Sequence, residues 1–128
     1  MILGKISDPY LLSLAQAYLG CFPTVYSLNS WWHFKTKDVY GTQTNHRDHD
    51  DFRFLVCMVY LTDINENTGP HVFFPRTHDG SEPVEEKIIL GKAGTAILAD
   101  TYALHRGQPL VQGSRLVCWW RYGLYLNW

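Results

Sequence analysis

Charge of one sign is the first thing this chain lacks: 11 Lys and Arg stand against 12 Asp and Glu, a net charge of −1 with histidine neutral. Without a basic field there is no electrostatic footprint for a nucleic acid, and without an acidic tail none for a charged partner. Long apolar runs are missing too. No stretch approaches 18 consecutive apolar residues, which argues against a membrane span, and no basic run followed by an apolar one marks a secretory leader. Cysteine is sparse and odd in number. Cys21, Cys57 and Cys118 form no Cys-x-x-Cys pair, so no disulfide framework is indicated. Cys57 and Cys118 lie in apolar runs and read as buried free thiols. Unpaired thiols suit a reducing compartment, and the expected location is the cytoplasm.

Aromatics are what the chain has instead: five Trp, eight Tyr and six Phe in 128 residues. So many rings imply a β-rich, aromatic-packed interior. The length fits one domain, residues 1–128, around one core. Asp8–Pro9 predicts a helix start, because Asp caps free N–H groups and Pro suits the first helical position. Leu11, Leu14, Ala15, Tyr18 and Leu19 follow at the spacing of one buried stripe, and Gly20 is placed to cap the end. Thr24 to Lys35 reads as extended, with Trp31 and Trp32 on opposite faces, one in the core and the other free to line a cavity. His33 reads as structural or exposed. Phe52 to Leu61 is apolar on both faces and predicts a central strand. Shorter strands follow at His71 to Pro75, Lys87 to Leu90 and Thr95 to Ala99. A hairpin closes the chain, one arm at Tyr102 to Arg106 and the other at Arg115 to Leu126. Short strands punctuated by Gly, Pro and Asn predict an antiparallel sandwich or barrel with one helix outside.

The chemistry concentrates at Asn45–His46–Arg47–Asp48. In an extended segment His46 and Asp48 project to one face, roughly 6–7 Å apart at the backbone. They are two of the three ligands of a 2-His-1-carboxylate iron site. His49-x-Asp51 repeats the spacing three residues on and faces the other side. His105, on the first hairpin arm, is the candidate third ligand. Arg115, on the return arm, offers a planar fork for a carboxylate. Alternation puts Arg115, Val117, Trp119 and Arg121 on one face, so Arg121 is a second candidate cation. Asp100 is placed to fix the turn before His105, while His71 and His78 read as strand or loop histidines.

The series His46-x-Asp48, Tyr60–Leu61–Thr62–Asp63, Gly69–Pro70–His71–Val72, Gly94–Thr95–Ala96, Asp100–Thr101, His105-x-Gly107 and Arg115 resembles the phytanoyl-CoA dioxygenase-like family of iron(II)/2-oxoglutarate-dependent oxygenases. Tyr18–Leu19–Gly20–Cys21, Pro23 and Trp31–Trp32 resemble it as well. The likeness runs from Leu11 to Tyr122 and rests on order and spacing rather than on one motif. It implies a mainly β, double-stranded β-helix (jelly-roll) fold with one N-terminal packing helix. It implies Fe(II) held by His46, Asp48 and His105, with 2-oxoglutarate as cosubstrate, its distal carboxylate paired with Arg115, and O2 as oxidant. Tyr60 shares a face with Met58 and Val56; it either donates its hydroxyl to the cosubstrate or fills the core. The implied reaction hydroxylates a C–H bond of a small-molecule substrate and releases succinate and CO2. A carboxylate at Asp48 favours hydroxylation over halogenation, since related halogenases carry a small residue there. No basic cluster marks a CoA phosphate site, which favours a small, non-CoA substrate.

The chain departs from the family pattern in three places. Arg76–Thr77–His78 stands where Gly-Ser-His is common, and Val56 where many members have Lys. The 79–86 segment is short, which predicts an open pocket or one closed by a second copy in a homo-oligomer. Two other readings compete: a non-catalytic jelly-roll binding module that keeps the site, and a cupin-like metalloenzyme that does not use 2-oxoglutarate. The register of the ligand pair is directly testable. His46→Ala is expected to abolish iron binding and His49→Ala to retain it, read by iron stoichiometry of the purified variants; the reverse pattern would move the site to the second pair.

Overall fold

A computed structural model describes residues 2–124. Two helices precede the strands where the apolar spacing predicts one: a short α1 (Ile2–Ile6) and α2 (Pro9–Leu19). The ends of α2 are set by the residues that announce them. The Asp8 carboxylate accepts from the Tyr10 and Leu11 N–H groups at 3.0 and 3.3 Å. Gly20 turns left-handed at φ 79° and its N–H closes on the Gln16 carbonyl.

Seven strands follow: β1 (Thr24–Phe34), β2 (Phe54–Tyr60), β3 (His71–Phe73), β4 (Lys87–Ile89), β5 (Ala96–Ala99), β6 (His105–Gly107) and β7 (Ser114–Gly123). They form two antiparallel sheets, one ordered β1-β7-β2-β5 and the other β4-β3-β6. The fold is therefore mainly β, with few helices.

Alternation gives the larger sheet two different faces. Leu55, Cys57 and Val59 of β2, with Cys118, Trp120 and Tyr122 of β7, pack against Ala15 and Leu19 of α2. The opposite face of the same strands meets the smaller sheet, where Tyr60 and Val117 bury with Ile64. A strand covered on both sides must be apolar throughout, as β2 is. Removing the Trp120 side chain, which is fully buried, would cost about 3–5 kcal/mol.

Several expectations are corrected. The central strand starts at Phe54, not Phe52, and Phe52 is 89% exposed. Asp51 explains this: its carboxylate accepts the N–H groups of Phe52 and Leu124, so the chain turns there before entering the sheet. Neither Trp31 nor Trp32 is core: both are about half exposed, and the Trp32 ring stacks on Phe34. The last two strands do not form a hairpin. β6 pairs with β3 in the smaller sheet, and β7 lies between β1 and β2 in the larger. The connection is drawn across by the 67–70 loop. Pro70 O accepts from Gln108 N–H at 2.8 Å, and Asn67 O from Val111 and Gln112 N–H at 2.8 and 3.1 Å. The expected end of the return arm, residues 125–126, lies outside the described residues.

Arg76 adopts φ 62°, in the left-handed region, at the position where the resembled family has glycine. A side chain there costs about 1–2 kcal/mol, part of which glycine would forfeit through its looser unfolded state. Arg76→Gly is expected to raise stability by roughly 0.5–1 kcal/mol in urea titration. A lowered midpoint would mean that the Arg76–Glu85 ion pair at 3.8 Å outweighs the backbone strain.

Candidate active site

The 41–50 segment begins with a single 3₁₀ turn, Gly41–Gln43, and then runs extended without joining a ladder. One bridge anchors it. His46 N–H donates to His105 O at 2.9 Å and His105 N–H donates to His46 O at 3.0 Å. Asp48 N–H donates to Thr101 O at 2.9 Å. The same-face argument thus holds for His46 and Asp48, through pairing with the 101–105 segment.

His46, Asp48 and His105 offer ligand atoms that all lie within 4.8 Å of one another. His46 Nε2 is 3.9 Å from Asp48 Oδ1, and His105 Nε2 is 3.8 Å from Asp48 Oδ2. Both separations are too long for hydrogen bonds. Each Nδ1 instead meets a backbone carbonyl, Thr44 O at 2.8 Å and Ala103 O at 2.9 Å. A carbonyl only accepts, so Nδ1 carries the proton and the Nε2 lone pair turns toward Asp48. Burial favours neutral His105, lowering its pKa, although the Ala103 bond opposes this. Two oriented imidazole lone pairs and a carboxylate fit a 2-His-1-carboxylate metal centre on one side of an open face. His49 and Asp51 stay apart from this cluster: His49 packs edge-on to Tyr102, and Asp51 serves backbone N–H groups.

The three residues open on a cavity of about 350 Å³ between the sheets. Arg115 lines the same cavity from β7 and is 2% exposed. Its Nη1 donates to Gly69 O. Two glycines leave room for it. A Cβ on Gly107 would stand 3.1 Å from Nη2; one on Gly69, besides its φ of 73°, would stand 3.1 Å from Nη1 and 2.6 Å from Gln108 O. Burial lowers the Arg115 pKa to about 10, so it stays charged at neutral pH. Among the described residues it forms no ion pair. A buried cation with no counter-charge is costly, and an anionic ligand is the group that would offset that cost.

Arg121 lies nearer the metal ligands, bonded to Asp50 at 2.5 Å and reaching Asp48 at 3.5 Å, with its guanidinium 4.5 Å over the Trp119 ring. Tyr60 is fully buried; its hydroxyl donates to Ile89 O at 2.9 Å and accepts from His71 N–H at 3.2 Å. Asp100 accepts from Tyr102 N–H at 2.9 Å, which fixes the turn before His105 as expected. Sequence reasoning missed His33 and His71 as cavity residues. The signal was alternation: His33 shares a face with Trp31, and His71 pairs across β3 and β6 with Gly107 beside Arg115. Val56, where the family often has Lys, is one apolar wall.

No protein-family model matches the chain, and no curated protein matches it. Solved structures do share its fold. HygX from Streptomyces hygroscopicus with iron bound aligns at TM-score 0.71 and 16% identity, over 95% of this chain and 68% of HygX. HygX has also been solved with nickel and 2-oxoglutarate. AviO1 from Streptomyces viridochromogenes Tue57 aligns at 0.73 and 16% identity, over 92% of this chain and 58% of AviO1. ThoJ, a non-heme monooxygenase solved as a nickel complex, aligns at 0.71 and 20% identity, over 91% of this chain and 51% of ThoJ. The chain thus spans about two thirds of HygX and about half of ThoJ.

Burial, with Arg115 adding to it, holds two cavity histidines neutral: His71 well below the ordinary value, and His33 at about 4. Once unfolded they regain an ordinary pKa near 6.5, so in acid the unfolded chain binds more protons. Their stabilising contribution is complete above about pH 6.5 and declines as pH falls toward 4. Urea midpoints are expected to drop between pH 7 and pH 5, and less so in His71→Leu. An equal drop in that variant would remove His71 from the explanation.

Proposed function

We propose that this chain is an iron(II)/2-oxoglutarate-dependent oxygenase of jelly-roll fold, of the phytanoyl-CoA dioxygenase-like kind, hydroxylating a C–H bond of a small molecule with O2. What carries the reading is one cavity with a 2-His-1-carboxylate cluster on one wall and a buried, unpaired guanidinium on the other. His46, Asp48 and His105 would hold the metal, and Arg115 the far carboxylate of the cosubstrate. Bound iron would supply the redox chemistry that couples decarboxylation of 2-oxoglutarate to C–H oxidation, with succinate and CO2 as products.

The protein's own share is orientation and dryness. The carbonyls of Thr44 and Ala103 fix the histidine tautomers. Val56, Met58, Ile97 and Val117 give the cavity an apolar lining that keeps water from the reacting atoms. Gly69 and Gly107 let the Arg115 fork reach the cavity. Tyr60 supports the reading indirectly, since its hydroxyl holds the backbone of His71 and Ile89 beside the cavity. Asp48 keeps the carboxylate that favours hydroxylation. Trp31, about half exposed, and Asn29 stand at the mouth, where a small substrate would enter. The fold neighbours support the ligand set: HygX has been solved with nickel, 2-oxoglutarate and hygromycin B together. Three unpaired thiols suit a cytoplasmic setting.

The test is succinate formation from 2-oxoglutarate with ferrous iron under air. Arg115→Met is expected to weaken 2-oxoglutarate binding by 100-fold or so, about 2.7 kcal/mol, while leaving metal uptake intact. Metal uptake without any 2-oxoglutarate affinity in the unaltered chain would favour the cupin-like reading. Binding of both without turnover would favour the non-catalytic module.

A further inference from the structure

Arg47 sits between two metal-ligand candidates yet takes no part in the cavity. Its side chain leaves on the other side of the segment. Nη1 donates to Tyr102 O at 2.8 Å and to Thr77 O. Thr77 is 1% exposed and also works in two directions. Its hydroxyl donates to Phe74 O at 2.7 Å and accepts from Leu104 N–H at 2.8 Å. Phe74 N–H in turn donates to Leu104 O at 3.0 Å. Three pieces of chain meet here: the 46–48 run, the turn after β3, and the 101–105 run that ends in His105.

We propose that Arg47 and Thr77 form a clamp that sets the distance between the His46–Asp48 pair and His105, and so act as positioning residues for the metal centre. The proposal rests on the metal-binding reading above. Two of these bonds land on backbone groups within three residues of His105, Tyr102 O and Leu104 N–H, and the others tie Arg47, between His46 and Asp48, to Thr77 O and Thr77 to Phe74 O; together they constrain the ligands' Cα positions rather than their side chains. The turn that presents Thr77 is itself held in an unfavourable conformation at Arg76. A strained residue persists only where surrounding bonds over-determine it, and the bonds of Thr77 are the ones at hand. Arg47 is suited to the task because a long, permanently charged donor satisfies two carbonyls at once, Tyr102 O and Thr77 O.

The experiment is calorimetric titration of the metal-free chain with Mn(II), alongside urea unfolding of the same samples. Arg47→Met and Thr77→Val are expected to lose tenfold or more, about 1.4 kcal/mol, in Mn(II) affinity, the loss typical when groups that orient ligands are removed. Thr77→Ser keeps the hydroxyl and is expected to stay within about threefold of the unaltered chain. Tyr122→Phe serves as control: it removes a bond to Ile6 O far from the site and should cost stability without affinity. Unchanged Mn(II) affinity in folded Arg47→Met overturns the clamp, as does a loss in Tyr122→Phe as large as in the clamp variants. If Arg47→Met does not fold, Thr77→Val carries the test, since it removes the hydroxyl that holds Leu104 N–H and Phe74 O; full affinity there also overturns the clamp. No Mn(II) uptake by the unaltered chain would instead sink the metal reading itself.

Discussion

Two backbone hydrogen bonds, exchanged between His46 and His105, hold together segments from opposite halves of the chain. They bring the imidazole centroids to 4.2 Å. Neither segment could place its ligands alone. The 41–50 run has no ladder of its own, and β6 is three residues long. A short strand is weak by itself; β6 gains its position from β3 on one side and from this bridge on the other. The cluster is therefore a property of the tertiary fold, with the backbone as its scaffold and the side chains as its consequence.

Burial does the electrostatic work around that bridge. His71 and His33 are kept neutral first by loss of water and then by the nearby Arg115 charge, and Arg115 keeps its charge at the cost of desolvation. The two guanidiniums on the shared face of β7 end up in opposite circumstances. Arg121 is neutralised by Asp48 and Asp50, whereas Arg115 bonds the Gly69 carbonyl and, among the described residues, meets no carboxylate. The same alternation that makes them look equivalent in sequence leaves one cation committed and the other available.

The helix was legible almost to the residue, because Asp8, Pro9 and Gly20 act locally. The central strand was legible from its apolar run, and the shared face of Arg115, Val117, Trp119 and Arg121 from strand periodicity. The three metal-ligand candidates were legible from spacing plus family likeness, and the structure brings them together. What failed was everything decided at a distance. The hairpin reading of β6 and β7 assumed that neighbours in sequence pair, yet the 67–70 loop offers the connection better partners in the other sheet. One of Trp31 and Trp32 was expected inside because they face opposite sides of a strand, yet both stay about half exposed. Asp51 shortened β2 by spending its carboxylate on backbone N–H groups, an effect that apolar patterning cannot register.

The register shift in β1 between Tyr26 and Asn29, where Ser27 takes φ 56°, has a bearing on how this molecule behaves among copies of itself. Strand β1 is at the border of the larger sheet, with Trp32 and Phe34 facing out, a sticky combination. The irregularity interrupts the border and increases its twist. A straight template is left only over Asn29–Phe34, so the same kink that disturbs pairing with β7 also shortens the border on which fibre-like growth could start.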